Sequence, residues 1–352
     1  MRLLFGILCF ILATQPVFAQ KAKSKKEAKD VKDTVNIAKN IEKEETKIKV
    51  SGVLEAGFDI NNKVNKSETE YNRIGYGQIE ISATPVKKVK AEFGLEYKDK
   101  DSALTIDKLY GQYNITDFGR VRVGYMKKSF GLEERAGVEE RYFHKRSIIN
   151  DGLEDSEFLG HDLSLQYRYD LNKTWFVTGG FSWIDETLFH QNYSVEYRTE
   201  NTNLILAAII GHYTNPEYDM TRFATSLSFK HSAKLCVSEA EFTFGNNPAP
   251  KWAVPLGTED FFVLGARLQE YFPIAINTKV LRQVIPVAEA AFYSEELENK
   301  DFDVQLRAGL TLGFAKNSAF QWRNTYGTVL RTEDGERELR RRRFDSEVVV
   351  IF

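Results

Sequence analysis

From residue 48 onward, apolar side chains recur at every second position. Ile48, Val50, Leu54, Phe58 and Ile60, with the small Gly52 and Ala56 between them, alternate with Lys47, Lys49, Ser51, Glu55 and Asp59. Successive residues of a strand face opposite sides, so this pattern is one apolar face and one polar face. It returns at Gly75–Ala83, Val89–Tyr97, Val121–Tyr125, Leu163–Tyr169, Trp175–Trp183 and Val304–Phe314. About 16 strands are expected, at roughly 19 residues for each strand and its connection. Fourteen or eighteen remain compatible with the pattern. Residues 185–218 resist parsing, and a bulge is expected between Val237 and Ala240.

The connections differ in length. Those at 84–87, 116–119, 170–173, 231–234 and 316–318 are tight, whereas those at 61–70, 129–160, 245–258 and 295–301 are mostly longer. Outer-membrane barrels show this asymmetry, with short periplasmic turns and longer external loops. Alternation alone does not say which face is outside. Two features favour an apolar exterior. Tyr71, Tyr97, Tyr169, Trp175, Trp183 and Trp322 lie near strand ends, as an interfacial girdle would. The chain also finishes on Val348, Val350 and Phe352. The expected fold is all-β: a transmembrane antiparallel barrel preceded by a short helical or coiled-coil segment.

Composition is consistent with this. The 352 residues are 42% apolar, 13% aromatic and 28% charged, too apolar for a disordered chain. The mean hydropathy of −0.39 would suggest a soluble protein, but a membrane barrel hides its apolar residues at alternate positions. Residues 1–19 read as a secretory signal, with Arg2 ahead of the apolar run Leu3–Leu12 and small residues at Val17 and Ala19. Residues 20–47 hold nine Lys and six acids, and Ala28, Val31, Val35 and Ala38 follow a three-then-four spacing. A charged linker and a short periplasmic self-associating helix both fit that stretch. Residues 48–352 carry a net charge of −6, which argues against nucleic acid as a partner.

The run Gly119-Arg-Val-Arg-Val-Gly-Tyr-Met-Lys-Lys-Ser-Phe-Gly-Leu-Glu-Glu134 resembles the phosphate-selective porin O and P family, where such a segment ends a strand and enters the third loop. Glu139–Arg146, Gly160–Leu163 and the arginine-rich last strand, 339–352, are similar to it as well. The resemblance implies a homotrimer of 16-stranded barrels with the third loop folded into the lumen. Strand counting independently makes 129–160 the third external loop.

A pore selects ions with charged side chains at its narrowest point, where water is scarce. The loop would bring Glu133, Glu134, Arg135, Glu139, Glu140, Arg141, Lys145 and Arg146 there, and parity turns Arg120, Arg122, Arg168, Arg267, Arg307 and Arg323 inward. Guanidinium suits phosphate because its planar fork matches two oxygens. Each arginine is equally suited to an ordinary salt bridge with Glu80, Glu92, Glu239 or Glu289. The five histidines lack metal spacing, no Gly-x-Ser-x-Gly elbow is present, and Cys236 reads as a small filler. No enzyme activity and no cofactor are expected. Three functions stay open: a passive channel leaning to anions such as phosphate or polyphosphate, a general weakly or cation-selective porin, and a structural or adhesive barrel that conducts little. Expected partners are small anions or solutes, outer-membrane lipid and lipopolysaccharide.

Overall fold

A computed structural model describes residues 46–352 apart from 65–66, 100–102, 138–139, 185–187, 216–217, 248–260, 277, 279, 297–300, 315–318 and 334–335. The signal and helical segment expected at 1–45 lie outside the described residues. Sixteen long strands and a two-residue bridge, Ile274–Ala275, form one antiparallel sheet. Strands β1 to β4 are Lys47–Lys63, Glu68–Val86, Val89–Lys98 and Ala103–Asn114. Strand β5, Gly119–Lys127, leads through two helices, α1 (Leu132–Arg135) and α2 (Ile148–Asp155), to β6, His161–Asp170. Strands β7 to β11 follow at Trp175–Trp183, Leu188–Arg198, Thr202–Asn215, Tyr218–Ser232 and Val237–Asn247. The last five, β12 to β16, are Phe261–Tyr271, Gln283–Glu296, Asp301–Gly313, Phe320–Glu333 and Glu336–Ile351. Every strand pairs with its sequence neighbour, and β1 pairs with β16 from Val53↔Ile351 to Lys63↔Arg341. The sheet is therefore a closed barrel with no free edge.

The barrel is inverted relative to a soluble protein. Ile48, Val50, Leu54, Phe58, Leu206 and Leu268 are about half exposed or more, while Glu55, Asp59, Gln78, Glu196, Arg267 and Arg323 are buried. An outward apolar face costs little only in lipid, where it meets acyl chains instead of water. The aromatic residues expected as a girdle, from Tyr71 to Trp322, all point outward. Phe352 closes the last strand onto the first: its carbonyl accepts from the Gly52 amide at 2.9 Å, and its amide donates to the Gly52 carbonyl at 3.0 Å.

The structure corrects three sequence expectations. The first strand begins at Lys47, one residue before the expected boundary. No bulge interrupts β11, whose pairing with both neighbours is continuous from Val237. The irregularities lie instead near Ala83, Gly94, Tyr293 and Val329. Val237 breaks the polar pattern because it faces inward, packed with Phe143 and Tyr271. Cys236 is no filler, because its thiol donates to a Glu270 carboxylate oxygen at 2.8 Å. The stretch 185–218 is also explained: β9 reads Leu-Ile-Leu-Ala-Ala-Ile-Ile because both its faces are apolar.

Candidate functional site: the constriction built by the third loop

The inward apolar patch on the wall receives the loop. Phe130, Ile149, Leu153, Phe158 and Leu159 pack against Ile205, Ala207, Ile209, Ala224, Val263, Ala291 and Tyr293 as one buried cluster. The fit is close. A Cβ on Gly152 would lie 2.2 Å from the Tyr293 ring, and one on Gly265 would lie 2.9 Å from Ile149. Burial of these side chains is the main attraction holding the loop inside the lumen. A second cluster, Phe143 with Val237, Tyr271, Ile285 and Val287, fixes the following turn against the wall.

Polar stitches complete the loop. The left-handed Gly131 (φ 60°) turns the chain into α1, whose Leu132 amide donates to Glu241 on β11 at 3.1 Å. Glu133 accepts from the Ser147 amide at 2.7 Å and also from its hydroxyl. Ser147 is the N-cap of α2. Glu134 pairs with Arg146 and accepts from the Gly160 amide at 3.3 Å. Lys128 is buried, donating to the carbonyls of Glu157 and Leu159 and pairing with Asp162. Glu133, Glu134 and Arg146 thus hold the loop's own fold.

Wall arginines anchor the loop in a similar way. Arg307 donates to Glu289 at 2.8 Å and to the carbonyls of Lys145 and Arg146 at 2.6 and 3.1 Å, with its guanidinium 4.2 Å over the Phe143 ring. Arg267 pairs with Glu289 at 2.8 Å and Glu239 at 3.5 Å. Arg323 sits between Glu55 and Glu347 at 3.3 and 3.5 Å. His144 approaches the same two carboxylates at 3.4 and 3.1 Å. Burial would lower its pKa, but bonding to Glu347 and Glu55 outweighs this and raises it to about 9.

A different set of cations faces open space. Two cavities of about 370 and 550 Å³ share Arg135, Glu140, Arg141 and Arg198 in their linings, so the arch of loop between 135 and 141 divides the lumen. Around Glu196 on β8, three guanidiniums share one carboxylate: Arg135 at 3.3 Å, Arg168 at 3.4 Å and Arg198 at 2.9 Å. Arg120 lies opposite Arg168 in the β5–β6 register, and Arg122 donates to Gln112 at 2.9 Å. Among the described residues, Arg120, Arg122, Lys127, Arg141 and Lys145 lie in no ion pair with a carboxylate. Burial and the neighbouring Arg146 lower the Arg141 pKa.

The facing wall is balanced. Glu80 pairs with Lys108, Glu92 with Lys90, Glu96 with Lys98, and Asp107 with His161. The positive surplus therefore lies on one side of the constriction. Of the residues named from sequence, Arg120, Arg122, Arg135, Arg141 and Arg168 come together there. Lys145 lines the smaller cavity, Arg307 and Arg323 serve as anchors, and Glu139 lies outside the described residues. Glu196, Arg198 and Lys127 escaped the sequence reading. Glu196 and Arg198 end the strand whose register the sequence left open, though its alternation (Ser194, Glu196, Arg198 against Val195, Tyr197) carried the signal.

Comparison with known proteins was made for sequence and for structure. No family model and no curated protein matches the sequence. Solved structures do match. An anion-selective porin from Comamonas acidovorans has a TM-score of 0.65 at 11% identity, with 88% of this chain and all of that chain covered. The outer-membrane channel DcaP of Acinetobacter baumannii also has a TM-score of 0.65 at 11% identity, with 87% and 97% covered. The trimer form of OmpT, an outer-membrane protein of Vibrio cholerae, gives 0.61 at 11% identity, with 88% and 100% covered. The chain therefore has the sixteen-stranded β-barrel fold of the outer-membrane porins.

Proposed function

We propose that this protein is an outer-membrane channel for passive diffusion of small solutes, with a preference for anions. One observation carries the preference: three guanidiniums compete for the single carboxylate of Glu196 beside Arg120, Arg122, Lys127 and Arg141. Fixed charge at a narrow, partly desolvated point acts on a passing ion far more strongly than charge on the outer loops. The bulk charge of the barrel, net −6, is therefore a poor guide to selectivity. The name of the Comamonas porin supports the anion reading by analogy, and the trimer form of OmpT supports assembly as a homotrimer. Phosphate is the small anion best matched to paired guanidiniums. Lipid and lipopolysaccharide surround the barrel on this reading.

The test is single-channel recording in a planar bilayer under a KCl gradient. An anion-side reversal potential, with chloride current reduced by added phosphate, is the expected result. Arg135→Ala and Arg141→Ala should each weaken the phosphate block about tenfold, the loss of roughly one charge-assisted contact. A cation-side or zero reversal potential would overturn the reading and leave a general porin. Absence of current would leave a structural barrel.

A further inference from the structure

One cluster among the loop anchors has a donor arrangement beyond what an ion pair requires. Glu55 on β1 and Glu347 on β16 divide their carboxylates between two neighbours. Their Oε1 atoms face the Arg323 guanidinium at 3.3 and 3.5 Å. Their Oε2 atoms face His144 Nδ1 at 3.4 and 3.1 Å. The three donor atoms lie within 4.8 Å of one another. Both carboxylates are buried, Glu347 to 2% exposure, and neither Glu347 oxygen accepts a hydrogen bond. His144 Nδ1 likewise has no hydrogen-bond partner of good geometry. Buried polar atoms left so are rare and call for an explanation such as an ion.

The spacing supplies that explanation. Ligands bound about 2.0–2.1 Å from one ion, at angles between octahedral and tetrahedral, stand roughly 2.9–3.4 Å apart. The two imidazole-to-carboxylate distances fall in that range. One nitrogen and two oxygens are a borderline donor set of the kind zinc and its neighbours take. Arg323 holds both carboxylates from behind, as a supporting contact orients ligands in a metal site.

We propose that Glu55 Oε2, Glu347 Oε2 and His144 Nδ1 form a three-donor site for a divalent transition-metal ion of the zinc class. His144 is the partly exposed member, its side chain 21% accessible, so the fourth position opens to the lumen and takes water. The ion takes the place of the proton that His144 otherwise shares with the two carboxylates, and binding releases that proton. Because His144 belongs to the loop and both glutamates to the wall, the ion staples the constriction shut against the barrel. The same position lies at the seam where the last strand meets the first, so the staple also spans the barrel closure.

The test uses the full, tag-free chain in detergent, stripped with a chelator and titrated with zinc chloride by calorimetry. One saturable site per chain is expected. His144→Gln and Glu347→Gln should each weaken binding at least about tenfold, while His212→Gln, distant in the fold, leaves it unchanged. X-ray absorption should show one nitrogen and three oxygens around the ion. Heat-modifiable migration in electrophoresis identifies variants that have folded, and the conservative His144→Gln keeps the test open should Glu347→Gln fail to fold. Lack of saturable binding by the wild-type chain up to millimolar zinc, or wild-type binding by a folded His144→Gln variant, overturns the proposal.

Discussion

Replacing Leu153 with aspartate should release the third loop from the barrel wall and enlarge the channel. Leu153 is 1% exposed and lies at the centre of the cluster that joins α2 to β9, β12 and β13. Truncating a leucine so placed costs about 2–5 kcal/mol. Burying an unpaired carboxylate there costs more. The remaining attachments are ion pairs such as Arg307 with Glu289, which face water-filled space and do not replace the lost apolar contact. The barrel itself should persist, because its strand pairing closes without the loop. Single-channel conductance is expected to rise about two- to threefold, with large open-channel noise, at unchanged barrel heat resistance. Gly152→Val provides a second route without added charge, because any Cβ there meets the Tyr293 ring at 2.2 Å. Unaltered conductance in both variants would mean that the loop does not form the constriction.

Reversing charge at the Glu196 cluster should have the largest effect on selectivity. Arg168 and Arg198 contact the same carboxylate from β6 and β8. In the double variant Arg168→Glu and Arg198→Glu, the local balance of three cations and one anion becomes one cation and three anions. Four units of charge at about 6 Å from a passing ion amount to roughly 3 kcal/mol even at the dielectric constant of water. Screening reduces this, because the Debye length is about 10 Å at 0.1 M salt and about 3 Å at 1 M. A reversal from anion to cation preference is expected at 0.1 M KCl, with the permeability ratio changing about tenfold or more, and a much smaller change at 1 M. Glu196→Gln should act in the opposite direction and strengthen the anion preference. Equal shifts at both salt concentrations would argue that the variants changed the pore's shape instead of its field.

Much of the architecture was legible in the chain itself. The two-residue period at Ile48–Ile60 or Val304–Phe314 determines which side chains share a face, and the pleat makes that reading local. The strand number, the long third loop and the outward girdle follow from the same periodicity. The reading failed where a lumen-facing position was apolar. Ile205, Ile209 and Val237 face inward to receive the loop, and no local pattern separates an inward apolar residue from one facing lipid. The sequence also supplied the candidate arginines but not their employment. Arg307, Arg323 and Arg135 look alike in a list. Their difference lies in carboxylates, Glu289, Glu347 and Glu196, contributed by strands up to 61 residues away in the chain. An ion pair depends on register across the barrel and on where the loop lands, and both are tertiary facts. The sequence alone determined the barrel and its loop. The closed structure decided which charges cancel and which remain to face the pore, because cancellation needs two side chains within about 4 Å and a strand pattern does not encode that distance.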